Sequence, residues 1–457
     1  MSSSCLKSLG AGLAVALIAG QAQAQPDPMD AQIKSLQRQI AALEKQVNAL
    51  KHRPVPVKAE KPSNAPVLTM PGNRPTFCTA DGANCIGITG RLHFDVGGYS
   101  YQPNTALTVP QAMRNGVNAR RARIGLLGTF ANYWDFGLVL DGGGSQDGTA
   151  TLNNAFIGYK GIKGMVIEGG YMDVPYTLDE ATSSNNITFM ERATPQVLAT
   201  DIAAGDNRAA FGVRAFDKRW WAGAYLTGPT TGYDHTTRVP VGTTARVAFL
   251  PIDSDAATLL IGGDLLYLWD TGGLPNTNQL RLRDRPEVRI DPTRIIDTGV
   301  LNGVDNARVL SAELGGRFGD LYFQGEYFHY HINRTGFSDL NFTGGYAQAS
   351  YVLTGEKRRY STSSGAFGGI NPKNPFQPGG GWGAWEVAAR YSYVDLNNDL
   401  VFGGTQRNLT FGLNWYVNSN MRFMLNWIHG EVERRNLAGA DLGAKYNAVA
   451  MRAQVAF

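Results

Sequence analysis

The sequence predicts an all-β transmembrane β-barrel of 16 antiparallel strands, preceded by a short α-helical coiled coil. Three observations support this fold class. The chain opens with the pattern of a secretory signal peptide, and no later stretch approaches 18 consecutive apolar residues. From about Ile86 onward, apolar and polar residues alternate with period two. The final strand of this pattern ends on an aromatic residue, Phe457.

The N-terminal segment, residues 1–24, has the three parts of a signal peptide. A single cation at Lys7 precedes the apolar run Leu9 to Gly20 and the small residues of Ala22-Gln23-Ala24. A short membrane anchor is the alternative, but about 12 apolar residues are too few to cross a ~30 Å hydrocarbon core. We therefore expect export, with Gln25 as the first mature residue.

The cysteines are informative because export leads to an oxidising compartment. Cys5 lies in the signal peptide, so the mature chain keeps Cys78 and Cys85. The segment between them contains Asp81-Gly82, which can form a turn. A metal site would need further Cys or His ligands nearby, which the sequence lacks, and two free thiols are uncommon after export. A disulfide is favoured, and neither a metal nor a cofactor is expected.

Residues 25–53 are predicted to form a coiled-coil helix. Apolar residues spaced 3, 4, 3, 4, 3 place β-branched side chains at a and leucine at d of a heptad: Ile33, Leu36, Ile40, Leu43, Val47 and Leu50. An amphipathic helix that packs on its own protein is the alternative. An intermolecular coil is favoured because residues 54–86, a proline-rich linker ending in the disulfide loop, separate the helix from the rest.

Residues 87–457 are assigned to the barrel. In one predicted strand, Leu409 and Phe411 share a face, with Asn408 and Thr410 on the other. A soluble β-sandwich would alternate too, but export without a membrane helix, aromatic residues at strand ends and charges in mid-strand favour a membrane barrel. Strands of ~10 residues with their connections use roughly 20 to 25 residues each, which gives 16 strands, with 18 as the alternative. A barrel of this size leaves an aqueous channel.

Net charge and the motifs in the sequence argue against two other classes of protein. A net charge of +4, from 42 basic and 38 acidic residues, is too small for a nucleic-acid-binding chain that works through a general positive field. His329 and His331 share a strand face but have no nearby nucleophile motif, so an enzyme is not expected.

The 55 glycines lie almost entirely in the barrel region. We attribute them to tight turns and to strand positions such as Gly125 and Gly412, where lumenal side chains need space.

Several segments in the barrel region resemble the phosphate-selective porin (O and P) family of Gram-negative outer membranes. They are Arg120-Arg121-Ala122-Arg123-Ile124-Gly125, Gly169-Gly170-Tyr171, Ala181-Thr182-Ser183-Ser184, Trp385-Glu386 through Tyr391-Ser392, and Gly412-Leu413-Asn414-Trp415-Tyr416. The resemblance implies a homotrimeric channel of 16 strands, with an inward-folded third loop, that moves anions passively to the periplasm. The terminal Phe457 also resembles the signal read by outer-membrane assembly machinery.

The alternation of side chains along each strand predicts that five arginines face the lumen: Arg121, Arg123, Arg390, Arg422 and Arg452. A basic lumen concentrates anions and repels cations. The alternative role is ion pairing with lumenal acids, which would neutralise the field; the candidates are Asp135, Asp141, Glu326 and Glu386. A second basic run, Arg281 to Arg294, is interpreted as a solvated loop or as part of the pore mouth.

The constriction-loop candidate runs from about Glu180 to Arg208. Family members carry cationic eyelet residues just after the Thr-Ser-Ser motif, whereas this chain has the neutral Asn185 and Asn186 there. Only Arg192 and Arg208 are cationic in the loop, and Glu191 is among its acids. We therefore expect a weakly anion-selective porin for phosphate or other inorganic anions.

Two other functions remain open. One is a non-selective or sugar-permeable general porin, and the other is a barrel-anchored adhesin or structural tether. The expected partners are small anions or other small hydrophilic solutes, outer-membrane lipid and two further copies of the chain. The expected location is the outer membrane of a Gram-negative bacterium, with the coiled coil in the periplasm.

Overall fold

The computed structural model of the chain describes residues 28–51, 65–108, 110–144, 149–274 and 277–457. The expected signal peptide, residues 1–24, and positions 54–64 of the expected linker lie outside these ranges. The chain divides into two compact units, one up to Ser63 and one from Asn64 to Phe457.

The first unit contains helix α1 (Pro28–Lys51), within the range that the heptad pattern predicts. A proline at the first position suits a helix, because the first-turn N–H groups have no helical partner. The five apolar heptad residues from Ile33 to Val47 are exposed, including 46% of Ile33 and 59% of Leu43. The helix therefore presents an apolar seam to its surroundings. It is not long and apolar enough to cross a membrane, and neither is any other helix in the described ranges.

The second unit is a closed antiparallel β-barrel of 16 strands, as predicted. In chain order the strands are β1 (Cys85–Pro103), β2 (Gly116–Phe130), β3 (Trp134–Asp141), β4 (Thr151–Tyr159), β5 (Met165–Val174), β6 (Gly205–Asp217), β7 (Trp220–Thr230), β8 (Val241–Asp253), β9 (Ala257–Asp270), β10 (Val304–Phe318), β11 (Leu321–Arg334), β12 (Leu340–Val352), β13 (Ala384–Asn398), β14 (Val401–Tyr416), β15 (Met421–Glu433) and β16 (Ala444–Ala456).

Each strand pairs with its neighbours in sequence, and the last strand pairs with the first. The β16–β1 register runs from Ala444 opposite Pro103 to Ala456 opposite Arg91. The terminal residue completes this seam, because Gly90 and Phe457 exchange both backbone hydrogen bonds at 3.0 Å. The sheet therefore has no open edge between its first and last strands, which is what a backbone in lipid requires.

Side-chain burial is inverted relative to a soluble sheet. On β14, Leu409, Phe411 and Leu413 are 36 to 46% exposed on the outside, whereas Asn408 and Thr410 are 1% exposed on the inside. Such an apolar exterior is the pattern of a barrel that faces lipid. The alternation predicted from the sequence is thus present, with the polar face turned inward.

The barrel has a terminal rim, where β1 begins and β16 ends, and an opposite distal rim. Three long connections turn into the barrel. Loop 3 (175–204) and loop 5 (271–303) enter from the distal rim, and the inner turn (353–383) enters from the terminal rim. Loop 3 contains the helices α2 (Leu178–Ala181) and α3 (Thr194–Ala203). Loop 5 and the inner turn contain short strand pairs, Gln279–Leu280 with Leu301–Asn302, Arg283–Asp284 with Ile296–Asp297, and Tyr360–Ser361 with Ala366–Phe367.

The interior is not uniformly aqueous. Helix α3 packs Leu198 and Ile202 against Phe328, Tyr330 and Phe342, which point inward from β11 and β12. These inward-facing wall residues are apolar, although a polar lumen was predicted, because helix α3 and not water covers them. One side of the barrel is therefore filled, and the opposite side, beside β1 to β5, holds the open space.

At the terminal rim, two short strands extend the sheet from the start of β1. Val67–Thr69 pairs with Thr76–Cys78, which in turn pairs with β1. Cys78 lies directly opposite Cys85, and a disulfide joins them.

Candidate pore and its constriction

The open space inside the barrel lies between loop 3 and the inner faces of β1 to β5. A cavity of about 700 Å³, here called the vestibule, reaches from loop 3 to the terminal rim. Loop 3 lines it with Ser183, Ser184, Asn185 and Asn186, and the rim with residues such as Phe457. A smaller cavity of about 270 Å³ adjoins it, because both are lined by Asn154, Phe156, Asp173 and Ala181. The vestibule and the adjoining cavity are the candidate passage for solutes beside loop 3.

The charged residues of the vestibule are mostly cationic. Arg123 lies 2.6 Å from Asp141 and 2.7 Å from Asp206, which balance its charge. Arg91 instead donates to the hydroxyls of Ser183 and Ser184, and no ion pair within 4.0 Å joins it to a described carboxylate. Five arginines and two aspartates line the cavity in all: Arg74, Arg91, Arg123, Arg359, Arg422, Asp173 and Asp206.

The middle of loop 3, residues 185–191, is held flat against the wall by hydrogen bonds to its backbone carbonyls. Most donors are arginine or amide side chains of β13 to β16, and one is Arg358 of the inner turn. The carbonyls of Asn185, Asn186, Ile187, Thr188, Met190 and Glu191 accept from Gln454, Arg358, Arg422, Asn414, Arg452 and Arg390 in that order. The wall and the inner turn thus satisfy nearly every carbonyl of a segment of turns and bends that has no sheet partner.

The start of loop 3 is held by the opposite chemistry. Asp264 accepts the backbone N–H of Thr177 at 3.1 Å, and Glu326 accepts that of Leu178 at 2.7 Å. Both carboxylates belong to the wall, on β9 and β11, and both are buried. Wall acids bind the loop's N–H groups and wall arginines bind its carbonyls, so both kinds of charge position the constriction.

The five predicted lumenal arginines all point into the barrel, but each is already bonded. Arg121, Arg390, Arg422 and Arg452 are 1 to 4% exposed. Arg390 pairs with Glu287 of loop 5 at 2.5 Å, which is not among the four candidate acids. Of those candidates, Asp141 pairs with Arg123 at 2.6 Å, whereas Glu386 pairs with Arg358 of the inner turn at 2.8 Å.

The alternation pattern in the sequence did not identify Arg120 as a lumenal residue. Opposite β1, His93 pairs with Arg121 but Phe94 pairs with Ala119, so Arg120 is an extra residue in a β-bulge. The bulge turns Arg120 inward beside Arg121, where it binds Glu191 at 2.9 Å. The signal in the sequence is the consecutive Arg-Arg pair, because strict alternation would place one arginine in lipid.

The predicted constriction-loop residues have different environments. Asn185 bonds His93 at 3.2 Å, and Asn186 lines the vestibule. Arg192 folds back onto the start of its own loop, 3.1 Å from Glu180. Burial alone would lower the pKa of Arg192, but Glu180 and Asp179 outweigh burial and raise it, so its charge is fixed.

Arg208 lies outside the loop. Loop 3 ends before β6, and Arg208 on that strand donates to the carbonyl oxygens of Ala204 and Gly228 at 3.0 Å each. It therefore fastens the end of loop 3 to the wall instead of adding a charge to the constriction.

Two groups of three carboxylates lie close enough to share a cation, namely Asp173, Glu180 and Asp206, and Asp264, Glu313 and Glu326. Each group already contains an arginine partner. Arg123 lies 2.7 Å from Asp206, and Arg246 lies 2.9 Å from Glu313. Their chemistry is that of buried ion-pair networks.

Comparison with known proteins gives one family. The family model described as phosphate-selective porin O and P matches residues 86–457. Porin O of Pseudomonas aeruginosa is 26% identical over 400 residues, which cover 80% of this chain and 87% of that protein. Among solved structures, the anion-selective porin from Comamonas acidovorans has a TM-score of 0.50 at 12% identity, with 82% of this chain and 100% of that chain covered. OmpT of Vibrio cholerae in its trimer form also has a TM-score of 0.50, at 9% identity and the same coverage.

Proposed function

The chain belongs to the phosphate-selective porin O and P family and is an outer-membrane porin, and on this premise we propose that its channel passes small anions with a weak preference over cations. Solutes move passively through the vestibule along their concentration gradients. The family and the barrel support a channel rather than an enzyme. The charge balance of the vestibule carries this proposal.

The cationic excess of the vestibule supports the direction of selectivity. Its lining holds five arginines against two aspartates, and low-dielectric walls strengthen the field of such an excess inside a narrow passage. Arg91 contributes at the level of loop 3, because it forms no ion pair within 4.0 Å with a described carboxylate and donates to the neutral hydroxyls of Ser183 and Ser184. Anions are therefore concentrated at the level of loop 3.

The weakness of the preference follows from how the other arginines are used. The wall arginines donate to loop carbonyls or pair with carboxylates, and neither arrangement leaves a guanidinium free to bind a passing solute. The neutral Asn185 and Asn186 add no charge of their own at the vestibule. A strictly phosphate-selective pore would need free cations there.

Ion substitution in planar bilayers tests this function. Replacing chloride by a bulky organic anion should lower the single-channel conductance more than replacing potassium by a bulky organic cation. The reverse order would contradict anion preference. Equal losses, together with entry of sugars into liposomes that contain the protein, would favour the general-porin alternative. A barrel that passes no current would favour a tether.

We also propose a trimer with the terminal rim and α1 in the periplasm. The trimer form of the structurally similar OmpT supports the stoichiometry. The exposed apolar seam of α1 supports association of the three N-terminal helices into a parallel coiled coil, which would bury that seam.

A further inference from the structure

Glu191 of loop 3 lies in a group of four arginine side chains from three parts of the fold, here called the arginine nest. Its carboxylate is 2.9 Å from Arg120, 2.7 Å from Arg452, 3.6 Å from Arg289 and 3.9 Å from Arg121. Arg120 and Arg121 come from β2, Arg452 from β16 and Arg289 from loop 5. The residue is 5% exposed. No other carboxylate in the described ranges has ion pairs with four arginines.

The nest holds more donors than Glu191 can use. Asp95 is the second carboxylate present, and it binds Arg452 alone, at 2.6 and 2.7 Å. Within 4.0 Å, four guanidinium groups therefore contact two carboxylates, and Asp284 and Asp201 act on Arg289 from farther away. Arg121 is 2% exposed, yet its Nε has no hydrogen-bond partner among the described residues. A buried, unpartnered guanidinium donor is costly, and it favours any anion with more acceptor oxygens.

The nest also fixes the charge of Glu191. Burial alone would raise the pKa of this carboxyl, but Arg120, Arg452, Arg121 and Arg289 outweigh burial and hold it well below its usual range. The side chain is therefore an anion at neutral pH.

We propose that the arginine nest is an oxyanion site which Glu191 occupies as a tethered anion, so that inorganic phosphate binds there only when Glu191 is removed. This inference rests on the proposed channel function. Tethering gives the carboxylate an effective concentration in the millimolar range or above, which free phosphate must exceed. Phosphate offers four oxygens against two, and charge-assisted bonds to arginine suit it. Side chains of Arg289 and Arg120, 29% and 14% exposed, form the open side of the site.

Single-channel block by inorganic phosphate tests the proposal. Chloride current through the wild-type trimer should resist phosphate up to tens of millimolar, since the site is occupied. Glu191→Gln removes the anion but keeps its shape, and the phosphate concentration for half-block should fall by about tenfold or more. Glu287→Gln is the matched control, because Glu287 is equally buried on loop 5 but pairs with one arginine, Arg390. Its response to phosphate should equal that of the wild type.

The outcomes separate this inference from the proposed function. A Glu191→Gln trimer that conducts chloride but shows no change in phosphate block would overturn the inference and leave the channel function intact. Wild-type protein that does not conduct would overturn the channel function itself. Submillimolar phosphate block of the wild type would also contradict occupancy by Glu191. If Glu191→Gln does not assemble, Glu191→Asp retains the charge but shortens its reach, and its half-block concentration should lie below that of the wild type; an unchanged value would refute the inference.

Discussion

Arginine side chains in this barrel mainly position the constriction. Arg422 illustrates this, because it donates to the carbonyl of Ile187 at 2.9 Å and to Gln454 at 3.0 Å. A planar guanidinium holds five donors in a fixed geometry and can join a loop carbonyl and wall groups at once, whereas a lysine ammonium has three donors on a flexible stem. Basic residues in a pore wall are thus insufficient evidence for anion binding until their partners are known.

Loss of one such anchor should make loop 3 mobile. Arg422→Met leaves the buried Ile187 carbonyl without its donor, a loss of about 1–3 kcal/mol. We expect larger current fluctuations in the open channel and a lower temperature for thermal unfolding of the barrel. Arg407→Met is the control, since Arg407 pairs with Glu433 at an exposed position on the distal side. Open-channel noise as low as that of the control would contradict the anchoring role.

Arg91 should set much of the anion preference. Arg91→Gln removes a vestibule charge that no described carboxylate pairs with within 4.0 Å, so the permeability ratio of chloride to potassium should fall toward one. Arg219→Gln provides the comparison, because Arg219 is exposed in a turn at the terminal rim. It lines neither the vestibule nor the smaller adjoining cavity. An Arg91→Gln channel with wild-type selectivity would show that this charge is not sensed by permeating ions.

At the level of elements, loop 3 depends on a glycine in the wall. Phe189 packs over Gly412 of β14, where an added Cβ would lie 3.1 Å from the ring. The wall therefore has a side-chain-free position where the loop approaches closely. This agrees with the interpretation of Gly412 from the sequence.

Loop 5 should make selectivity depend on pH. Burial raises the pKa of Asp284 to about 6, against the opposing effect of Arg289. As pH falls from 7 to 5, this carboxylate takes up a proton and the loop gains positive charge. The anion preference should therefore increase, with a midpoint near pH 6 in reversal-potential titrations. Asp284→Asn should show a high preference with no step near pH 6, and a step that persists in this variant would assign it to another group.

Helix α1 should associate through its apolar seam. In an oxidised full-length chain, Ile40→Cys at an a position should give intermolecular disulfides. Lys34→Cys lies on the same helix at a b position, away from the seam, and should give none. Denaturing gels without reductant distinguish the two. Equal cross-linking of both variants would indicate random collision, and none in either would contradict a parallel coil.

For the whole molecule, the wall was largely predictable and the constriction was not. Period-two alternation gives the strands, the outward apolar face and the strand number, because these depend on local pattern and chain length. The arginine partners depend on contacts between distant segments, such as Arg452 with Glu191 and Arg358 with Glu386. The β-bulge at Arg120 and the inward path of the inner turn have no local signal of comparable strength.

Loop 3 and helix α3 determine which side of the barrel is filled and which side is open. Loop 3 is fastened to β13–β16 through its carbonyls, and α3 covers the apolar inner faces of β11 and β12. The open space lies beside β1 to β5, and the arginines that line it come from β1, β2, β15, the inner turn and the terminal rim. We therefore expect the vestibule charge to contribute most to selectivity, with a smaller contribution from charges on loop 5 such as Asp284.

The selectivity of the intact channel is read from the reversal potential of the wild-type protein in a planar bilayer between two KCl concentrations. The vestibule charge predicts a small potential of the sign that marks preferential chloride flow, which shrinks as ionic strength rises because salt screens the arginines. A potential of the opposite sign, marking preferential potassium flow, would contradict the assignment of the vestibule as the selective passage.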